Sequence, residues 1–176
     1  MVKQCVDISI PKKLANRTTP TWAKKAVLNV LNVSLPLQSC EVSLAFCDDA
    51  TIQNLNKKYR GADKVTDVLA FSSTHWGSWQ GEGQERQLYD YTEPSYPEFP
   101  ERIPHLGEVV ISYDQAQRQA YESGHTVEGE TTLLIVHGML HLLGYDHELP
   151  QDKSIMWSLQ KTILIQLKHE SVCPDP

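Results

Sequence analysis

The stretch of residues 128–143 constrains the fold more than any other part of the chain. It is mostly apolar, only His137 and His141 interrupt its second half, and Gly144 follows at the position expected of a helix C-terminal cap. A helix that is apolar on most sides is buried among other elements. We therefore expect a central helix here, with the rest of the fold packed around it.

The two histidines of this helix are four residues apart. At 3.6 residues per turn their imidazoles point the same way, one turn apart, and both can bind one ion. Gly144 then ends the helix, which allows the chain to turn back and bring His147 in as a third ligand. Three protein ligands with one open position are typical of catalytic zinc. The spacing therefore predicts a zinc site formed by His137, His141 and His147.

Burial supports the same hypothesis, because two imidazoles without partners in an apolar helix would be costly. Three neutral imidazoles also suit nickel, copper or iron, so zinc is inferred from its availability. Gly138 stands where the common metalloprotease helix carries its general base. The chemistry must then come from the metal, which polarises a phosphoryl or carbonyl oxygen and lowers the pKa of bound water to about 7. We expect Gly138 to leave open space beside the ion.

The remaining patterns predict an α+β fold in one domain of 176 residues. Period-2 alternation and β-branched runs predict four strands, and apolar residues at helical spacing predict about five helices. We expect one mixed sheet packed with these helices, and the metal site at the end of the central helix. The predicted strands are residues 5–10, 41–47, 66–71 and 107–112, and the helices begin near Pro20, after Asp48 or Asp49, at Tyr113, at Glu128 and before Ile155.

Residues 72–104 interrupt this pattern as a long acidic insertion. They hold six acidic residues against two arginines, so they carry −4 of the net charge of −6. Elsewhere Lys57, Lys58, Arg60 and Lys64 form a local basic patch, which can meet a phosphate even on an acidic protein. Taken singly, these residues also fit an ordinary solvated helix end.

The composition also bears on compartment. Four scattered cysteines without a CxxC pair indicate reduced thiols, and Cys5, Cys40 and Cys47 fit small buried apolar residues. The N-terminus lacks the apolar run of a signal peptide, and apolar stretches fall far short of the roughly 20 residues that span a membrane. We expect a cytoplasmic protein with no membrane partner.

Residues 137–147, HGMLHLLGYDH, resemble the YbeY endoribonuclease family, whose signature is HGxLHLxGYDH. Further similar segments are residues 56–61, TDVLAF at 66–71 and LGEVVIS at 106–112. The chain departs from the family pattern at Ala70, where the family usually has Ser, at Glu108, where it often has Asp, and in its longer insertion.

The resemblance implies metal-dependent cleavage of single-stranded RNA, with no DNA substrate. It further implies ribosomal RNA maturation near the 3′ end of the small-subunit rRNA and ribosome quality control. The small ribosomal subunit and its assembly factors are the implied partners. It assigns one zinc ion to His137, His141 and His147, and a catalytic role to Arg60. The forked, fixed charge of Arg60 suits the transition state of phosphodiester cleavage.

Two other functions stay open at this point. A three-histidine zinc site can also serve a metallopeptidase or amidohydrolase, although Gly138 argues against this. The metal can instead stabilise a non-catalytic, ribosome-associated protein. Asp146 is either an acceptor that orients an imidazole or a turn residue, and Thr66 and Asp67 either line the cleft or cap a turn. We expect the other histidines, His75, His105, His125 and His169, to be surface residues.

Overall fold

The structure is a computed structural model that describes residues 2–15, 20–73 and 103–173. One four-stranded sheet lies at its centre, with the strands in the order β1-β2-β4-β3. The strands β1 to β4 are Gln4–Ser9, Cys40–Cys47, Val68–Ser72 and His105–Ser112. β1 and β2 run parallel, as do β2 and β4, whereas β3 runs antiparallel to β4. The sheet is therefore mixed.

Five α-helices pack around the sheet in the part of the chain that the structure describes. The helices α1 to α5 are Pro20–Ser34, Asp49–Arg60, Tyr113–Ser123, Val127–Leu142 and Pro150–Gln166. Short 3-10 turns lie at Lys12–Leu14 and Glu170–Val172. Three helices begin with a side chain that accepts a hydrogen bond from the first-turn backbone, namely Asp48, Ser112 and Thr126.

The helix α4 is the centre of the packing. Eleven of its 16 residues are buried, and it contacts β3, β4, α1, α3 and α5. It covers one face of the sheet within the main apolar core. On the opposite face, α2 forms a smaller core in which Ile52 packs with Leu69 and Val110. The sheet thus lies between α4 and α2.

The predicted α+β architecture is confirmed, with four strands in a mixed sheet and five α-helices. The predicted boundaries differ from the observed ones by one or two residues, because strand pairing and caps decide where elements end. Asp48, rather than Asp49, caps α2. Nearly all of the acidic insertion, residues 74–102, lies outside the described residues.

Two further expectations concern the cysteines and membrane-spanning helices. Cys40 and Cys47 are buried, and Cys5 is half-buried. Burial raises the pKa of the Cys47 thiol to about 12, which keeps it protonated and unreactive. Among the described residues, no helix has both the length and the apolar content required to cross a bilayer.

Candidate metal centre

The three predicted histidines lie together at the C-terminal end of α4. His137 and His141 are in its last two turns, and Gly144, with φ of 85°, adopts the left-handed conformation that ends the helix. The following turn brings His147 back to them. One ligand nitrogen from each ring lies within 4.8 Å of the other two, so the group can hold a metal ion. His147 is exposed and the other two are half-buried, so the group opens to solvent on the side of His147.

Hydrogen bonds fix the tautomers of His137 and His141. The Nδ1 atom of His137 lies 3.2 Å from the Oε1 atom of Gln160, and Nδ1 of His141 lies 3.0 Å from the carbonyl oxygen of Tyr145. Both oxygens are acceptors, so each Nδ1 donates. A neutral imidazole has one N–H, and this leaves a lone pair on each Nε2. The Nε2 atoms are the ones available for a metal.

These two Nε2 atoms face each other at 3.1 Å. Without a cation between them, two lone pairs at this distance repel. Zinc–nitrogen bonds of 2.0–2.1 Å in a tetrahedral site would separate two ligand nitrogens by about 3.3 Å. The donor set, its tautomers and its spacing therefore fit a divalent ion.

The protonation state also suits a metal. Burial lowers the pKa of His141 to about 4, with further lowering from the neighbouring His137 and His147. Burial likewise lowers the pKa of His137, and its bond with Gln160 opposes this only in part. Both rings are neutral at physiological pH, which is the form that binds metals.

The expectation that Gly138 leaves open space beside the ion is wrong. A Cβ atom at this position would lie 2.8 Å from Cγ1 of Val109 and 2.9 Å from Cγ2 of Val68. The glycine therefore faces the sheet, where it allows α4 to approach β3 and β4 closely. A larger residue there would require Val68, Val109 or the helix to shift, so the packing disfavours the base of a metalloprotease at this position.

Arg60 is not part of the histidine group. It is the last residue of α2, on the opposite face of the sheet, and it is exposed. Asp67 accepts hydrogen bonds from the backbone N–H of Val68 and the hydroxyl of Thr66, and its other oxygen accepts one from Gln119. It therefore organises the start of β3, as the turn-capping alternative predicts.

Asp146 likewise acts in the turn, where its Oδ1 accepts a bond from the backbone N–H of His147 at 2.7 Å. The acceptors that orient the imidazoles are instead Gln160 and the Tyr145 carbonyl, neither of which was predicted from the sequence. A hydrogen-bonding residue at an apolar-facing position of α5 is the one signal that points to Gln160.

Two of the four other histidines are less exposed than expected. The side chains of His125 and His169 are each only 22% exposed, and they lie near Glu130 and Glu128 respectively. His105 is exposed, as predicted, and His75 lies outside the described residues.

The family model of endoribonuclease YbeY matches residues 7–168 of this chain. The chain belongs to the endoribonuclease YbeY family. The matched span includes the three histidines and Arg60. The resemblance predicted from the motifs is thereby confirmed.

Individual YbeY relatives are similar over most of their length. The endoribonuclease YbeY of Thermoanaerobacter sp. (strain X514) is 38% identical over 144 residues, covering 82% of this chain and 84% of the relative. That of Desulforamulus reducens is 42% identical over 147 residues, covering 81% and 85%. That of Enterococcus faecalis is 38% identical over 149 residues, covering 82% and 88%. A solution structure of a Thermotoga maritima protein aligns at 20% identity with a TM-score of 0.49, covering 100% of this chain and 97% of that one.

Proposed function

We propose that this chain is a metal-dependent endoribonuclease that cleaves single-stranded RNA at a centre formed by His137, His141 and His147. The observation that carries the proposal is the pair of Nε2 atoms that face each other at 3.1 Å, with His147 beside them. The names of the YbeY relatives supply the reaction class.

Zinc is the metal that we propose for this site, one ion per chain. Three neutral imidazoles with an open position are typical of catalytic zinc. When bound, the ion supplies a Lewis acid that polarises a phosphoryl oxygen and activates water. The chain's own contribution is to hold the rings of His137 and His141 in their neutral form and to leave the exposed side of His147 accessible to a substrate.

Arg60 is the residue that we propose to neutralise the phosphate. The last turn of α2 holds Lys57, Lys58 and Arg60, a local positive charge on an acidic chain. Tyr59 beside them is 57% exposed, and its ring packs edge-on against Phe71 with centroids 5.2 Å apart. An exposed aromatic ring among basic residues suits single-stranded RNA, whose bases stack and whose phosphates are negative.

A short segment connects this helix end to β3, the strand that packs against α4. Residues 61–67 leave α2 next to Arg60 and enter β3 at Val68. Val68 lies against Gly138, the neighbour of His137. RNA that contacts Arg60 and crosses the start of β3 would thus approach the histidines.

The peptidase alternative is weakened by the packing of Gly138. A carboxylate side chain at this position would require Val68 and Val109 to move, because they fill the space that its Cβ would need. The purely structural alternative is weakened by the exposure of His147, since structural zinc sites are closed by four protein ligands.

The cellular role that we propose is maturation of ribosomal RNA near the 3′ end of the small-subunit rRNA, together with ribosome quality control in the cytoplasm. This proposal rests on the family motifs. The small ribosomal subunit and its assembly factors would be the partners. With a net charge of −6, the chain has a weak general attraction for RNA, so recruitment by a ribosomal partner would help to deliver the substrate.

We also propose that residues 1–176 form one domain, with residues 72–104 as an acidic insertion between β3 and β4. Ser72 pairs with Gly107, and the backbone N–H of Ser73 donates to the carbonyl of Leu106 at 3.0 Å. The two ends of the insertion therefore lie side by side. A long insertion between adjacent strand ends adds little entropic cost to folding.

The test is a cleavage assay with purified protein on single-stranded and double-stranded RNA and on a peptide library. We expect cleavage of single-stranded RNA, its loss in His141→Ala, and retention in the control His105→Ala, which changes an exposed histidine outside the site. Arg60→Ala should lower cleavage on the order of 10²-fold, and Arg60→Lys less. Undiminished RNA cleavage by His141→Ala, or cleavage of peptides alone, would contradict the proposal.

A further inference from the structure

Gln160 is a polar residue buried in an apolar environment. It lies in α5, is 2% exposed, and is one helical turn from Met156 and Ile163, which are both fully buried. Burying an amide without hydrogen bonds costs free energy that an apolar residue would not. Its Oε1 atom lies 3.2 Å from Nδ1 of His137.

This contact determines which nitrogen of His137 is available. With Oε1 facing the ring, Nδ1 carries the proton and Nε2 has the lone pair. If the amide turned by 180°, its N–H would donate to Nδ1, and the ring proton would move to Nε2. The proton would then block the atom that faces His141 at 3.1 Å. The observed orientation is the one that leaves Nε2 free to bind a metal.

Gln160 also links a separate element to the site. The Nδ1 atom of His141 donates its hydrogen bond to the carbonyl of Tyr145, within the turn that follows α4. The Nδ1 atom of His137 instead donates to Gln160 in α5, a separate helix that packs alongside α4. Metal-binding histidines commonly donate the N–H of their other ring nitrogen to such an acceptor, and loss of that acceptor lowers the affinity for the metal.

We propose that Gln160 is a positioning residue of the metal centre, which fixes the tautomer and the ring orientation of His137. The inference rests on the proposed function, because it requires His137 to bind a metal. It goes beyond that function in assigning to α5 a direct effect on metal affinity.

The test compares Gln160→Met, which keeps the length and removes the acceptor, with Gln160→Glu, which keeps an acceptor oxygen. Met156→Leu on the same helix is the packing control. Zinc affinity is measured by competition with a chelator of known affinity, and the absorption spectrum of the Co²⁺ form reports the coordination geometry. We expect Gln160→Met to bind zinc about 10–100-fold more weakly, and Gln160→Glu and Met156→Leu to bind as tightly as the wild type or tighter.

Wild-type affinity in Gln160→Met would overturn the inference, as would equal weakening in Met156→Leu. If Gln160→Met does not fold, Gln160→Asn, which withdraws the acceptor by one methylene, takes its place with the same expectation. A wild-type chain that binds no metal would instead refute the proposed function, so the two failures are distinguishable.

Discussion

His141 shows how burial shapes the chemistry of a single residue. Its Nδ1 donates to the Tyr145 carbonyl, its Nε2 faces that of His137, and burial lowers its pKa to about 4. In the metal-free chain the fold therefore keeps this imidazole neutral at pH values where a solvent-exposed imidazole would be protonated. That difference between the folded and unfolded states makes stability depend on pH.

We predict that the metal-free protein loses stability as the pH falls from 6.5 towards 4. In this window the unfolded His141 binds a proton and the folded one does not, so protons favour unfolding. His137 acts in the same direction. Each such proton contributes at most about 1.4 kcal/mol per pH unit. Urea unfolding of chelator-treated protein at several pH values between 7.5 and 4.5 measures this effect.

The variant His141→Asn is the control for this prediction. It removes the titrating ring, so its unfolding free energy should fall less steeply over the same window. The lowered pKa of Asp48, caused first by its bond with Lys13, reduces stability mainly below about pH 5 and does so equally in the variant and the wild type. Equal slopes in His141→Asn and the wild type would contradict the assignment.

At the residue scale, the sequence revealed the three histidines because they lie within eleven residues of chain. The helical spacing of His137 and His141, with Gly144 as a helix-ending residue, was sufficient to predict that the three lie together. Gln160 could not be found in this way, since it is 23 residues from His137 and meets it only when α5 packs against α4. The environment of Gly138 was mispredicted for the same reason, because the residues that fill its space come from β3 and β4.

At the scale of elements, the close approach of α4 to the sheet positions the site. Gly138 is the contact point, with the methyl groups of Val68 and Val109 where its side chain would be. His137 is its immediate neighbour, so a shift of the helix at this point would displace a proposed ligand.

We predict that Gly138→Ala destabilises the protein by about 1–2 kcal/mol. An overpacked core position costs about 1–3 kcal/mol, and the better helix propensity of Ala returns about 1 kcal/mol or less. Valine methyl groups move little because χ1 is restricted. Thermal or urea unfolding of the variant measures the change.

A double-mutant cycle with Val109→Ala separates the clash from other causes. Val109→Ala removes the methyl group that lies 2.8 Å from the position of the new Cβ. Gly138→Ala should therefore cost less in that background than in the wild type. Strictly additive effects would show that the contact does not limit the packing.

Element boundaries were largely predictable because local signals mark them. Asp48 caps α2, and Gly124 and Gly144 end α3 and α4 in the left-handed conformation. These signals act within a few residues of the chain. Apolar spacing was a less reliable guide to burial, because Ile155 of α5 is 50% exposed.

At the scale of the whole molecule, the α+β class followed from alternating strand and helix patterns. The strand order β1-β2-β4-β3 did not, because the pairing of β2 with β4 joins residues 64 or 65 positions apart. Such non-local pairs are decided by packing of the complete chain. The pairing of β3 with β4, another non-local contact, places β3 against α4 and therefore determines where the start of β3 lies relative to the histidines.

The central claim is that His137, His141 and His147 jointly bind one metal ion. Elemental analysis of the purified wild-type chain, beside a variant with all three changed to Ala, tests it most directly. We predict about one zinc ion per chain in the wild type and none in the triple variant. A triple variant that retains the metal, or a wild-type chain that holds none even after incubation with zinc, would contradict the account.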